Sequence, residues 1–264
     1  MSIKMIFSDI DGTLINSEFQ VTPKTQAAIR QAVKQGIVFV PVSARMPEGI
    51  KPIVNSIGIK TPIISYNGAL VQTDKEETVA SNPMGTETAL KICRFISQNY
   101  PEIAWNVYSY HDWYAMDRDN VWVKREEDIV GVRSHEADLS QLQFLPAVHK
   151  VLLMGEPDLI APLELSLKKL YPDLSIAKSA PYFIEIMAPG IKKGQAVKVL
   201  ADYMKVELSD TIAFGDNFND LDMLETVGKG YVMCNGPKEV QEAIGHITSD
   251  HNHDGIAQVL FTYL

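Results

Sequence analysis

The chain has 264 residues, of which 46% are apolar and 22% charged, and this composition is typical of an ordinary globular protein. Its formal net charge of −9 argues against a nucleic-acid partner held by phosphate neutralisation, although net charge does not describe a single cleft. No apolar run reaches the length of a membrane span, and Asp9 and Asp11 interrupt the short apolar start. We therefore expect neither a membrane segment nor a signal peptide. Composition leaves the oligomeric state open.

The two cysteines, Cys93 and Cys234, are far apart in the chain and match no metal-binding or redox spacing. We predict that both are reduced thiols in the core of a cytoplasmic protein. A disulfide between them is the less favoured alternative.

The first part of the chain alternates between apolar runs and helical patterns. Thr22 suits a helix N-cap, Pro23 the first helical position and Gly36 the stop. Short connections between strands and helices predict a parallel α/β sheet with helices on both faces. The predicted elements are, in order, strand 3–8, helix 24–35, strand 37–42, helix 47–57 and strand 62–66.

The rhythm changes near residue 82, where neighbouring strands follow each other directly and predict an antiparallel sheet with helices on one face. Segment 117–144 is polar and has no clear period. Alternation of strands and helices returns at residue 193, so we predict that the middle unit is inserted into the first. The predicted elements of the middle unit are helix 86–100, strands 104–110, 113–116 and 148–154, helix 157–171, and strands 174–178 and 182–187. Those of the last part are helix 195–204, strand 211–214, helix 219–227, strand 230–233 and helix 238–244.

Two carboxylates follow the first predicted strand, in Asp9-Ile10-Asp11-Gly12-Thr13. Because side chains alternate along a strand, Asp9 and Asp11 are expected on the same side of the backbone, where they repel unless a cation lies beside them. Mg²⁺, a hard ion that prefers oxygen ligands, suits such a pair. The pattern predicts a nucleophile and metal ligand at one carboxylate and an acid or base at the other. The alternative is a solvated surface turn.

Polar residues also follow the next two predicted strands. Ser43-Ala44-Arg45 comes after strand 37–42, and the Ser43 hydroxyl and following amide could bind a phosphate oxygen. Considered alone, Ser43 is better explained as a capping residue. Asn67-Gly68 follows strand 62–66 and is first of all a turn signal.

Two later segments complete the set of polar groups. Lys192 and Lys193 precede a helix, where a cation is unfavourable unless it neutralises a phosphate or faces solvent, and the pattern does not decide between the two lysines. In 215–220, Asp216 is placed as a further metal ligand, and the alternative is an acidic turn that caps a helix. Ligand sites of parallel sheets lie at the carboxyl ends of strands, so these groups are expected to converge.

These motifs together resemble those of the haloacid dehalogenase superfamily, in particular its Cof-type, sugar-phosphatase-like branch with an inserted α+β cap. Segment 9–13 resembles the first motif, and Ser43-Ala44-Arg45 resembles the second, usually Thr/Ser-Gly-Arg, from which Ala44 departs. Segment 215–220 is similar to the fourth motif, and the return from cap to core before Gly194 marks Lys193 as the motif lysine. The resemblance implies a Rossmann-like α/β catalytic core at 1–82 and 189–264 and a cap at 83–188.

The resemblance also implies roles for single residues. Asp9 attacks phosphorus and forms an aspartyl-phosphate, while Asp11 protonates the leaving alcohol and then activates water. Mg²⁺ is held by the carboxylates of Asp9 and Asp216 and by the main-chain carbonyl of Asp11. The remaining implied roles are phosphate binding by the side chains of Ser43, Lys193 and Asn219 and the amides of Ile10 and Ala44, and support of the metal ligands by Asp220.

The implied function is a cytoplasmic, Mg²⁺-dependent phosphatase for small phosphorylated metabolites, with sugar phosphates as the expected class and neither nucleic acid nor membrane as partner. One alternative is a sugar phosphomutase on the same scaffold, which returns the phosphoryl group to a sugar instead of water. A second is a non-catalytic phospho-acceptor or metabolite-binding protein. Asp11 disfavours the second alternative, because a phosphate store needs no leaving-group acid.

Overall fold

The structure, a computed structural model, describes residues 3–264. By contact density the chain forms two compact units, one made of the segment up to Ser81 together with Lys192–Leu264, and the other of Asn82–Ile191. We call them the core unit and the inserted unit. The boundaries predicted from sequence are 82/83 and 188/189, and residues 1 and 2 of the predicted first segment lie outside the described residues.

The first segment of the core unit contains the predicted strands and helices. Thr22 caps the first helix through a hydrogen bond from the Thr25 amide to its hydroxyl, Pro23 begins that helix, and Gly36 follows its end at φ +86°. The capping residues were therefore predicted correctly. The elements are β1 (Met5–Ser8), α1 (Pro23–Lys34), β2 (Val38–Pro41), α2 (Pro47–Ile57), β3 (Ile63–Ser65), β4 (Leu70–Gln72) and β5 (Thr78–Ser81).

The inserted unit is built on a six-stranded sheet that is antiparallel except for one parallel pair. Alternate strand residues, such as Trp105, Val107 and Val151, pack with the apolar sides of two long helices, as the sequence pattern predicts. Segment 117–144, which has no clear period, contains two helices and a two-residue strand. The elements are α3 (Thr86–Asn99), β6 (Ala104–Ser109), β7 (Asp112–Ala115), α4 (Val121–Val130), β8 (His135–Glu136), α5 (Leu139–Leu142), β9 (Lys150–Met154), α6 (Pro157–Leu170), β10 (Ser175–Ala180) and β11 (Phe183–Met187).

The chain then returns to the core unit and completes its main sheet. This sheet has the order β14-β13-β12-β1-β2, and all of its strand pairs are parallel. Ile6 packs into one apolar cluster while Met5 and Phe7 pack into another, so both faces of β1 are covered, and the predicted α/β fold is confirmed. The elements of this segment are α7 (Lys193–Tyr203), β12 (Thr211–Gly215), α8 (Leu221–Thr226), β13 (Lys229–Met233), α9 (Lys238–Ile244), β14 (Ile247–Thr248) and α10 (Gly255–Leu260).

The third predicted strand differs from the expectation. β3 meets the parallel sheet through a single bridge between Val42 and Ile64, and its own sheet is the antiparallel set β3-β4-β5. The reason is local, because a tight turn at Tyr66–Gly68 sends the chain straight back as β4. The turn at Asn67-Gly68 is as predicted, whereas β4 and β5 correspond to no predicted strand.

The prediction for the cysteines was half right. Both thiols are free, and Cys93 is buried, but Cys234 is exposed and does not belong to the core. Cys234 directly follows β13, and the burial of that strand ends at Met233. None of the helices among residues 3–264 has the length and apolar character needed to cross a bilayer.

Candidate active site

Three of the predicted site residues follow neighbouring strands of the parallel sheet. β1 lies between β12 and β2, and Ser8 at its end is in register with Phe214. Asp9 comes directly after β1, Asp216 directly after β12, and Ser43 two residues after β2. Because parallel strands end at the same edge, these side chains lie at the carboxyl edge of the sheet, as predicted.

Three carboxylates lie together at this edge. Oxygen atoms of Asp9, Asp216 and Asp220 are all within 4.8 Å of one another, and residues 3–264 contain no other group of three or more His, Cys, Asp or Glu side chains that could hold a metal ion. Asp9 and Asp220 are buried, with 7% and 0% of their surface exposed. Carboxylates this close and this poorly solvated require positive charge beside them.

One positive charge comes from Lys193. Its Nζ lies 2.6 Å from Oδ1 of Asp9 and 2.6 Å from Oδ1 of Asp220, and the side chain is fully buried. Lys192 is exposed, so burial distinguishes the two lysines that the sequence pattern left equivalent. Burial alone would lower the pKa of Lys193, but the charges of Asp220 and Asp9 outweigh burial and raise it, so Lys193 is a cation.

The helix that carries Lys193 is anchored to α8, the helix that follows the acidic turn after β12. The amide of Gly194, in the first turn of α7, donates to Oδ2 of Asp222 at 2.7 Å. A carboxylate at a helix N-terminus binds an unpaired amide and is favoured by the helix dipole. This contact therefore fixes the beginning of α7 beside the carboxylates.

Asp220 organises the turn after β12. One of its oxygens binds Lys193, and the other accepts hydrogen bonds from the amides of Asp216 and Asn217, both at 3.0 Å. The carboxylate thus holds the backbone on which the Asp216 side chain stands. Support of this kind is the role that the family resemblance implies for Asp220.

Gly12 and Thr13 lie against Asp216. The Thr13 hydroxyl donates to Oδ1 of Asp216 at 2.9 Å. Gly12 has φ +79°, and a Cβ placed on it would lie 2.6 Å from Oδ2 of Asp216. Both its backbone conformation and this close approach require glycine. The carbonyl oxygen of Gly12 accepts a hydrogen bond from the Asn235 side chain at 2.9 Å, a contact that the sequence analysis did not identify.

Asp11 lies in a different setting from Asp9. Its side chain is 51% exposed and forms a two-point ion pair with Arg45, with Nε–Oδ2 at 2.9 Å and a second N–O distance of 2.6 Å. The strand alternation expected to align the two carboxylates stops at Asp9, because the chain turns there. The amides of Thr13, Leu14 and Ile15 all donate to the Ile10 carbonyl.

Arg45 is a site residue to which the sequence analysis gave no role. Its position in Ser43-Ala44-Arg45 was the available signal, since the resemblance includes an arginine at that place. The buried Ser43 hydroxyl accepts a hydrogen bond from the Arg45 amide at 3.1 Å, so the segment is folded on itself. Ile10 is buried and Asn219 is exposed at the turn after β12.

The pKa values of the acidic group reflect its environment. Burial raises the pKa of Asp9 well above its usual range, Asp220 adds to the increase, and Lys193 opposes it. Burial and the charge of Asp220 raise the pKa of Asp216 to about 6, against a hydrogen bond from Thr13. Both carboxylates are therefore harder to ionise than a solvated aspartate, and a cation beside them would reverse that effect.

The donors fit a small, hard divalent cation. When all three carboxylates are ionised they carry three negative charges and Lys193 carries one positive charge, so two negative charges then lack compensation within the group. The atoms that face one another are oxygens, which Mg²⁺ prefers, and no soft ligand is among them.

The chain is similar to known proteins along nearly its whole length. The family model described as haloacid dehalogenase-like hydrolase matches residues 6–260. A Haemophilus influenzae protein named "Putative phosphatase" is 36% identical over 98% of both chains, and Phosphatase YwpJ of Bacillus subtilis is 28% identical over 98% of this chain and 99% of its own. A haloacid dehalogenase-like hydrolase from Bacteroides thetaiotaomicron superposes over 100% of both chains with a TM-score of 0.92 and 26% identity.

Proposed function

The chain belongs to the haloacid dehalogenase-like hydrolase family, and on that premise we propose that it is a Mg²⁺-dependent phosphatase acting on small phosphorylated metabolites. Sugar phosphates are the expected substrate class. The observation that carries the proposal is the buried group in which Lys193 bridges Asp9 and Asp220 while Asp216 lies beside them. Phosphoryl transfer depends mainly on positioning and charge neutralisation, and this group offers both.

Mg²⁺ would be held by the carboxylates of Asp9 and Asp216 and the main-chain carbonyl of Asp11. When bound, the ion neutralises charge on the transferring phosphoryl group and on the carboxylates. Asp220 and Thr13 hold the Asp216 segment through the hydrogen bonds described above, which supports a site organised before substrate arrives.

Asp9 is the proposed nucleophile. Its carboxylate oxygen forms a bond to phosphorus, the ester P–O bond breaks, and the product is an aspartyl-phosphate. Lys193 donates a hydrogen bond to Oδ1 of Asp9 and so orients the carboxylate, while Oδ2 makes no contact with the lysine. Water then attacks phosphorus, the Asp9–phosphorus link breaks, and inorganic phosphate leaves.

Asp11 is the proposed acid and base. It gives a proton to the leaving alcohol in the first step and takes one from the attacking water in the second. The two-point contact with Arg45 orients this carboxylate at the edge of the sheet.

The phosphoryl group would be bound by Ser43, Lys193 and Asn219, with the amides of Ile10 and Ala44. Burial of Ser43 and Lys193 supports this assignment, because a hydroxyl and an ammonium group shielded from water bind an anion strongly. We also propose that residues 1–82 and 189–264 form the catalytic domain of a cytoplasmic enzyme and that residues 83–188 form its substrate-selecting cap.

The test is release of inorganic phosphate from a panel of sugar phosphates, other phosphorylated metabolites and one synthetic aryl phosphate. We expect release that requires Mg²⁺ and that stops when EDTA is added. Activity that depends on a sugar bisphosphate and yields an isomeric sugar phosphate would instead indicate a phosphomutase. Absence of phosphate release from every ester in Mg²⁺ would refute the proposed activity.

A further inference from the structure

The turn that follows β3 has an unfavourable backbone. Tyr66, Asn67 and Gly68 have φ values of +52°, +53° and +106°, and two of these three successive residues are not glycine. Such a conformation is costly for residues with a Cβ, and it persists only where surrounding contacts hold it. Oδ1 of Asn67 is also screened from solvent without a hydrogen-bond partner among the described residues.

This turn is bonded to the segment that carries Ser43 and Arg45. The Asn67 amide donates to the Ser43 carbonyl at 2.8 Å, and the Tyr66 amide donates to the Arg45 carbonyl at 3.1 Å. A peptide group is planar, so a bond to the Ser43 carbonyl also sets the direction of the Ala44 amide. The Arg45 side chain in turn holds Asp11.

The same turn also contacts the beginning of α7. A Cβ placed on Gly68 would lie 2.8 Å from the Lys192 carbonyl oxygen and 2.9 Å from the Cβ of Ala196. Lys193, which binds Asp9, is the next residue after Lys192. One short segment therefore contacts both the Ser43–Arg45 loop and the helix start that presents the lysine.

We propose that the Tyr66–Gly68 turn is a positioning element that sets the Ser43–Arg45 loop at a fixed distance from Lys193. The proposal rests on the proposed function, because it assigns a task to groups that bind the phosphoryl group. The physical basis is that an anion site with converging donors loses affinity and rate when one donor moves by a fraction of an ångström. The unfavourable turn persists because its contacts on both sides hold it.

The experiment compares Gly68→Ala with Gly58→Ala. Both glycines lie in the core unit at positive φ, +106° and +76°, but nothing lies within 4 Å of a Cβ on Gly58. Both variants strain the backbone, and only Gly68→Ala pushes the turn away from α7. Hydrolysis of an aryl phosphate in Mg²⁺ and its inhibition by inorganic phosphate are measured well below the unfolding temperature of each variant.

We expect Gly68→Ala to lower kcat/KM by about 10–100-fold and to weaken phosphate inhibition, because displacement of about 1 Å has effects of that size. Gly58→Ala is expected to keep both quantities within about threefold of the unmodified chain. Equal changes in the two variants, or a loss of stability in Gly68→Ala with unchanged phosphate inhibition, would overturn the proposal. An unmodified chain that hydrolyses no ester would instead contradict the proposed function.

A milder variant tests the same contact from the other side. Ala196→Ser adds one oxygen atom to the side chain that faces Gly68, and it serves where Gly68→Ala does not fold. The same combination of lower kcat/KM and weaker phosphate inhibition is expected, at a smaller size. Full retention of both quantities in Ala196→Ser, together with a folded protein, would count against the proposal.

Discussion

Buried carboxylates occur in both units, and they are stabilised in opposite ways. In the core unit, Asp9, Asp216 and Asp220 share one lysine, and the pKa values of Asp9 and Asp216 are raised. In the inserted unit, Glu127 is 3% exposed and has partners for both of its oxygens. Burial by itself would raise the pKa of Glu127, but hydrogen bonds from its neighbours outweigh burial and lower it to about 2.

The partners of Glu127 explain the difference. The amide and hydroxyl of Ser134 each donate to Oε1 at 2.7 Å, and a guanidinium nitrogen of Arg133 lies 2.7 Å from Oε2. Arg118 adds a second positive charge at 3.5 Å. The protein itself supplies hydrogen bonds and positive charge to Glu127, whereas Asp9, Asp216 and Asp220 share one lysine. A raised pKa among close acids therefore marks a candidate functional site, whereas burial alone does not.

The largest expected effect is on kcat, and it distinguishes Asp9 in the core unit from Glu127 in the inserted unit. Asp9→Asn removes the proposed nucleophile and is expected to lower kcat by at least about 10⁴-fold. Glu127→Gln makes the same carboxylate-to-amide change in the inserted unit and should leave kcat near that of the unmodified chain. Steady-state phosphate release measured for both variants at neutral pH checks this. Substantial turnover in a pure Asp9→Asn preparation would remove Asp9 from its proposed role.

The second largest effect on kcat is expected at Asp11, which pairs with an arginine as Glu127 does. Asp11→Asn is expected to lower kcat by about 10²–10⁴-fold, the range for a lost acid and base. The side chain is 51% exposed, so the free energy of unfolding should change by less than about 1 kcal/mol. Kinetics and thermal unfolding of one preparation give both numbers. An unchanged rate would contradict the acid–base assignment.

Metal affinity provides a third test. Gly12→Ala places a Cβ against Asp216, whereas Gly131→Ala, at a comparable φ of +70° in the inserted unit, meets nothing within 4 Å. Both substitutions should cost about 1–2 kcal/mol of stability, because alanine is unfavourable in this conformation. Only Gly12→Ala is expected to raise the Mg²⁺ concentration for half-maximal activity, by about 10–100-fold. The same half-maximal concentration in both variants would contradict the expected coupling between Gly12, Asp216 and the metal site.

The smallest expected effect is a change in the free energy of unfolding, and this change has opposite signs in the two units. In EDTA at pH 7.5, Asp216→Asn is expected to raise the free energy of unfolding by about 1–3 kcal/mol, because it removes a poorly solvated charge. Glu127→Gln is expected to lower it by a similar amount, about 1–3 kcal/mol, because charged hydrogen bonds are lost. Urea unfolding of both variants without metal measures the difference. Destabilisation by both substitutions would contradict the distinction drawn between the groups.

The pH dependence of that effect follows from the direction of each pKa shift. Asp216, raised from 3.8 to about 6, binds more protons in the folded chain than in the unfolded one, so its contribution to stability falls as pH rises through that window. Glu127, lowered from 4.5 to about 2, contributes fully above 4.5 and loses its contribution as pH falls toward 2. The stabilisation by Asp216→Asn should therefore vanish below about pH 4.

Much of this fold was predictable, because its signals are local. Apolar runs and helical periods located most strands and helices, and α2 and α9 have the predicted bounds. The alternation of strands and helices also predicts that Asp9, Ser43 and Asp216 lie at one edge of a parallel sheet. The antiparallel pairing of β3 with β4 was not predictable in the same way, because the sequence pattern of a strand does not indicate which strand it pairs with.

Motif spacing and periodicity are properties of neighbouring residues, so the amino-acid sequence alone indicates which residue types stand at the ends of which strands. Other features are visible only in the folded chain. Lys193 rather than Lys192 is buried, and Asp220 lies beside Asp9 and Asp216. Asp11 pairs with Arg45. These outcomes depend on contacts between segments far apart in the chain. Burial and charge pairing arise when those segments pack, and no local pattern contains them.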